Sequence, residues 1–154
     1  MLALRPWILT LGLLTASSIA AQPGAQDKVR RGTTLLDAGD LQGAEALFRE
    51  ALEVQPRRPY RVWYLLGRVE LLRRDGGKAK ESFDQALLLA PRFGPALLGR
   101  AQAALLLGEL DGALEDLGTA AELPATADEA SLVAAQLLIY VGRVDDALGS
   151  SWGE

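Results

Sequence analysis

The chain has 154 residues, with 16 Lys and Arg against 20 Asp and Glu for a formal net charge of −4. It contains neither Cys nor His, which excludes disulfides, thiolate nucleophiles, Cys- or His-based metal sites and the commonest general base. Aromatics are only 6% of the residues and much of the apolar content is Leu and Ala, a composition that suits close-packed helices better than sheets.

The first 21 residues read as a secretory signal peptide. Met1 to Pro6 carries one basic residue, Arg5, and no acid; Trp7 to Ala16 is uncharged and apolar apart from Thr10 and Thr15; then come the small residues Ser17, Ser18, Ala20 and Ala21 before Gln22-Pro23-Gly24. Cleavage is expected after Ala20 or Ala21. The apolar run is shorter than the ~20 residues a spanning helix needs, so an uncleaved membrane anchor is the weaker alternative. Residues 22–27 form a leader and 28–154 the folded part. Export without Cys means that the domain must be held by packing alone.

Lys28 to Ala38 is expected to be helical, with Gly39 as a left-handed C-terminal cap. Asp40 caps the next helix, whose apolar positions Leu41, Ala44, Leu47, Phe48, Ala51 and Leu52 recur at spacings of three and four until Pro56 stops it. A helix from Tyr60 to about Arg73 leads to a turn at Asp75-Gly76-Gly77, a helix to Leu89 and Pro91. Gly94 to Leu107 leads to Gly108, a helix from about Leu110 and Pro124. Asp128 to Val141 is one more helix, halted by Gly142. Short connections require antiparallel neighbours. The segments GDLQGAEALFREALEVQP (39–56), RDGGKAKESFDQALLLAP (74–91) and GELDGALEDLGTAAELP (108–124) recur every 34 or 35 residues. Such a period marks a stack of helical units, each of which covers its neighbour's apolar face.

These residues resemble the tetratricopeptide repeat. The 60–93 unit carries the pattern best, with Trp63, Leu66, Gly67, Ala79, Phe83, Ala86 and Pro91, and departs at Glu70, where an aromatic is usual. The 25–58 unit supplies Gly32, Ala44, Phe48, Ala51 and Pro56; it has Lys28 and Arg31 for the usual Trp and Leu, and Leu35 for Tyr. The 94–127 unit keeps Ala113 and Ala120, with Ala101 and Leu117 as replacements and Pro124 one residue early. The partial unit 128–154 keeps Ala147 and has Ser131 in place of Trp. The resemblance implies an all-α, right-handed solenoid of antiparallel helix pairs, about three units plus a partial fourth. Small residues would sit where helices cross, since larger side chains would push axes beyond the ~8–10 Å of packed helices.

Once the core positions are assigned, one face of each first helix remains: Val29, Thr33, Leu36; Tyr64, Arg68, Leu71; Leu98, Gln102, Leu105; and Leu132, Gln136, Ile139. In proteins that look like this one, that face lines a concave groove holding an extended or helical peptide. Here it would present two apolar rows flanking a polar row of Thr33, Arg68, Gln102 and Gln136, although the apolar rows equally suit packing between first helices. Arg61 and Arg68 offer positive charge to an acidic group, though a solvated role is simpler. Some relatives grip a C-terminal carboxylate with Lys and Asn at the positions occupied here by Val29 and Thr33; that clamp is missing.

Charge is lopsided, +4 over residues 22–100 and −9 over 101–154, which suggests a dipolar rod or an ordinary uneven surface. Basic residues do not outnumber acids, so no nucleic-acid binding is expected. Asp111, Glu115, Asp116 and the Asp145-Asp146 pair lack the spacing of a calcium loop and read as surface charge near helix starts. No metal, cofactor or catalytic residue is expected. The 128–141 helix is apolar nearly all round and the segment after it is short. Self-association there, a cover built from Leu148 and Trp152, and a truncated chain are competing expectations. The sequence thus leads to an exported, non-catalytic scaffold for a protein or peptide partner, with membrane contact only through the signal segment and a homo-oligomer through the last helix as an alternative.

Overall fold

The computed structural model describes residues 24–140 and Gly142; the signal segment and the stub from Arg143 onward lie outside the described residues. Seven α-helices and no strands are found among them: α1 (Ala25–Asp37), α2 (Leu41–Glu53), α3 (Pro59–Leu72), α4 (Gly76–Leu89), α5 (Gly94–Leu107), α6 (Leu110–Ala121) and α7 (Ala127–Tyr140). Each helix packs on the next in the chain, and the first helices also meet, α3 against α5 and, less extensively, α1 against α3. The result is a helical repeat array.

The period of the sequence becomes a period of burial. Ala44, Ala79 and Ala113 are fully buried, and so are Ala51, Ala86 and Ala120 about two turns further along. Phe48 and Phe83 are fully buried beside them. A Cβ built on Gly32 would lie 2.6 Å from the Phe48 ring, and one on Gly67 would lie 2.6 Å from the Phe83 ring. Glycine is thus required where the first helix lies over the aromatic of its partner helix. In the third unit both members change together, Ala101 for the glycine and Leu117 for the phenylalanine, and both stay buried. A slightly larger residue on one side is matched by a smaller one on the other, which keeps the packing density of the interior. Phe83 also reaches the following unit, where a Cβ on Gly99 would lie 2.4 Å from its ring. The core forms two clusters, one around Phe48 and one around Phe83, and Trp63 packs against both.

Two expectations need correction. α1 starts at Ala25, inside the segment read as a leader. Gly76 and Gly77 are not the turn: they open α4, capped by Asp75, whose carboxylate accepts the Lys78 backbone N–H at 3.1 Å. The left-handed residue of that turn is Arg74, at φ 59°. Gly76 is small for another reason, because a Cβ there would lie 3.1 Å from the Ala103 carbonyl on α5. The Asp40 cap forms as expected and accepts the Gly43 N–H at 2.9 Å.

Candidate functional site

Three first helices build one cleft. Tyr64, Arg68 and Leu71 come from α3; Pro95, Leu98, Gly99 and Gln102 from α5; and Glu129 from α7, with Phe83 in the wall and Ala125 and Thr126 supplied by the loop before α7. The cleft encloses about 360 Å³. Local chemistry fixes its walls. Tyr64 is held edge-on by Phe93, with ring centroids 5.4 Å apart, and lies 6.0 Å from the Phe83 ring; Tyr60 supports Phe93 from behind at 5.0 Å. The Arg68 guanidinium lies 6.0 Å from the centre of the Tyr64 ring, one turn along α3, a distance at which the ring quadrupole attracts a cation. Thr126 is anchored by donating its hydroxyl to the Ala120 carbonyl at 2.8 Å, and it packs on Gly94, where a Cβ would lie 2.5 Å from Oγ1.

Of the residues selected from sequence, Tyr64, Arg68, Leu71, Leu98 and Gln102 meet in this cleft. Leu98 serves both purposes, being buried in the core while facing the cleft with what remains. Leu36 is buried in the first core cluster, so at that position packing wins over the groove. Leu105 is half-buried and packs against the second cluster. Val29 packs against the first cluster, and the Thr33 hydroxyl donates to the Val29 carbonyl at 2.9 Å; neither lines the cleft. Arg61 is exposed and outside it, as are Leu132, Gln136 and Ile139 on α7. Glu129 and Pro95 were legible but overlooked: counting on from Arg61 by 34 residues reaches Pro95 and then Glu129, one turn before Leu98 and Leu132 on their helices.

On α6, Asp111 and Glu115 are exposed, and Asp116 departs from the surface-charge reading. Asp116 is buried, and both its oxygens accept from Arg100, at 2.8 Å from Nε and 2.6 Å from Nη2. The Arg100 Nη1 donates to Asp84 on α4 at 2.7 Å. The two carboxylates, Asp116 foremost, raise the Arg100 pKa and keep it charged at every accessible pH. This is a staple joining three helices across a unit boundary. No group of three or more acidic side chains among the described residues is placed to hold a metal ion, and no described helix is long and apolar enough to cross a membrane.

Antiparallel helix pairs stacked so that successive first helices share an open cleft define an α-helical repeat protein. A profile of the tetratricopeptide repeat matches residues 29–79 and 73–130, and the chain belongs to that family. It is 38% identical over 94 residues to tetratricopeptide repeat protein 36 of Xenopus tropicalis, an alignment covering 53% of this chain and 46% of that protein. The chain therefore spans less than half the length of that relative. Among solved structures it is similar to MamA, with a TM-score of 0.75 at 17% identity over 84% of this chain and 75% of the other. The first repeat domain of Spaghetti (RPAP3), solved bound to the HSP90 peptide SRMEEVD, gives a TM-score of 0.71 at 16% identity over 77% of this chain and 93% of the other.

Proposed function

We propose that this protein is an exported, non-catalytic adaptor that holds a segment of a partner protein in the cleft between α3, α5 and α7. The observation that carries the reading is the juxtaposition of Tyr64, Arg68 and Gln102 with Glu129, an aromatic shelf and a charge of each sign at the edge of an apolar floor. An extended or helical peptide needs such a surface: apolar side chains bury against the floor while its polar groups meet the central row. The similar RPAP3 domain was solved with a peptide bound, which supports peptide capture by the same architecture. Val29 and Thr33 make a different ligand chemistry from a clamped terminal carboxylate the better expectation. Export rests on the composition of residues 1–21 and implies a periplasmic or secreted location. If that segment is retained, the protein is instead tethered to the membrane.

Crosslinking the protein in its own cells, then repeating with Arg68→Glu and Tyr64→Ala, tests the cleft. Arg68→Glu is expected to remove at least part of the captured set while leaving the helical circular dichroism intact. An unchanged set with both variants folded would refute the assignment. Tyr64→Ala also loses aromatic packing, so its thermal midpoint must be measured alongside. Self-association is the second reading, favoured by the 60% exposure of both Leu132 and Ile139 on α7. Under it, Ile139→Glu would convert an oligomer to a monomer in size-exclusion chromatography without affecting peptide capture.

A further inference from the structure

Glu70 occupies a packing position. The corresponding residues of the neighbouring units, 35 residues earlier and 34 later, are Leu35 and Ala104. Glu70 is only 3% exposed. Its Oε1 lies 3.6 Å from the Arg73 guanidinium, while Oε2 is buried and accepts no hydrogen bond. A buried carboxylate oxygen without a donor is costly, and packing alone would select an apolar residue there.

Glu70 lines a second cleft, about 500 Å³, formed where α2 and α4 flank α3 on the side of the second helices. Trp63 and Leu66 supply apolar wall. The other charges around it are already committed: Arg49 bonds to Glu45, Lys78 pairs with Asp75 at 3.0 Å, and Asp84 accepts from Arg100. Glu81, on the exposed face of α4, has no ion pair among the described residues. The cleft therefore presents, beside an indole ring, a buried carboxylate whose Oε2 lacks a donor and an exposed carboxylate without an ion pair among the described residues.

We propose that this second cleft takes a basic side chain, Lys or Arg, from a partner polypeptide. Its ammonium or guanidinium would donate to Glu70 Oε2, Glu81 would add a second negative charge, and the aliphatic stem would lie along Trp63, where the ring also attracts the cation. The site is separate from the concave cleft and does not depend on it.

The indole N–H resonance of Trp63 in ¹⁵N-labelled full-length protein reports directly on the cleft. Nα-acetyl-lysinamide and Nα-acetyl-argininamide should shift that resonance saturably, whereas Nα-acetyl-glutaminamide should not. Glu70→Gln should weaken the lysine and arginine probes at least tenfold, as expected for loss of a charge-assisted hydrogen bond, and Arg68→Glu should leave them unchanged. Glu70→Leu should abolish the response while raising the thermal midpoint, which keeps the test readable without relying on a destabilised variant. Equal shifts from all three amides, no shift from any, or an undiminished response in Glu70→Gln would each overturn the site. Binding of spermidine without any response to the two amino-acid probes would overturn a polypeptide ligand in favour of a free polyamine.

Discussion

Arg100 sits between two aspartates that belong to different helices, and its planar fork satisfies both oxygens of one and a single oxygen of the other. Because Asp116 is buried, removing the arginine strands an unpaired charge. Arg100→Ala should cost about 2–3 kcal/mol, at or below the low end for a buried pair because the Arg100 side chain keeps 29% exposure. Urea unfolding at neutral pH measures it, and Arg100→Lys should recover only part, since an ammonium cannot bridge in the same plane. Gly99 is the other decisive residue. Gly99→Ala drives a methyl group into the buried Phe83 ring, and the ~1–3 kcal/mol cost of overpacking outweighs the ~1 kcal/mol gain in helix propensity. The net loss, up to about 2 kcal/mol, is read from the shift in urea midpoint. The glycine, alanine and phenylalanine positions were legible because volume constrains them one residue at a time. The Arg100 staple was not: Asp84 and Asp116 each lie 16 residues away, on other helices, among many equally plausible partners.

Helices α1, α3 and α5 end in one way. The N–H of Asp40, Asp75 and Glu109 donates to the carbonyl five residues back, at 2.9 Å in each case, around a left-handed residue. That residue is Gly39 in the first unit and Gly108 in the third, but Arg74 in the second. A side chain in this region is strained by about 1 kcal/mol or more. Arg74→Gly should therefore raise stability by about 0.5–1 kcal/mol, while Gly108→Ala should lower it by about 1 kcal/mol. Paired thermal melts check both. The glycine signal led the sequence reading to Gly76-Gly77 and placed the turn too late, because a backbone conformation is set by the closing hydrogen bonds and not by the nearest flexible residue.

Across the whole array, ion pairs tie unit to unit. Arg73, at the end of α3, donates to Glu45 on α2 at 2.5 Å, and Lys80 on α4 pairs with Glu109 before α6. Hydrogen bonds from Arg73 and then Arg49 hold the Glu45 carboxyl below its ordinary value of 4.5. The Lys78 backbone N–H and side chain do the same for Asp75, whose ordinary value is 3.8. Depressed folded-state values mean stability that is present above those ordinary values and lost as pH falls through the lower, folded ones. The urea midpoint should thus be flat from pH 7 to about 5 and drop below about 4, and Glu45→Gln should lessen the drop. A flat profile down to pH 3 would count against these pairs. Opposite charges from the basic and acidic parts of the chain are in part spent on such contacts, which reduces the dipole that the charge count alone suggests.

The sequence by itself determined the repeat, the helix pairs, the small residues at the crossings and most of one wall of the concave cleft. Each of these follows from periodicity and side-chain volume, which act within a unit and repeat along the chain. The tertiary structure alone decided which groove positions are consumed by packing, as at Leu36, and which remain open, as at Arg68 and Gln102. It alone brought Glu129 to the same cleft and left Glu70 Oε2 buried without a donor. Those outcomes depend on how far and at what angle one unit is placed on the next, a relation between distant segments that local spacing does not encode.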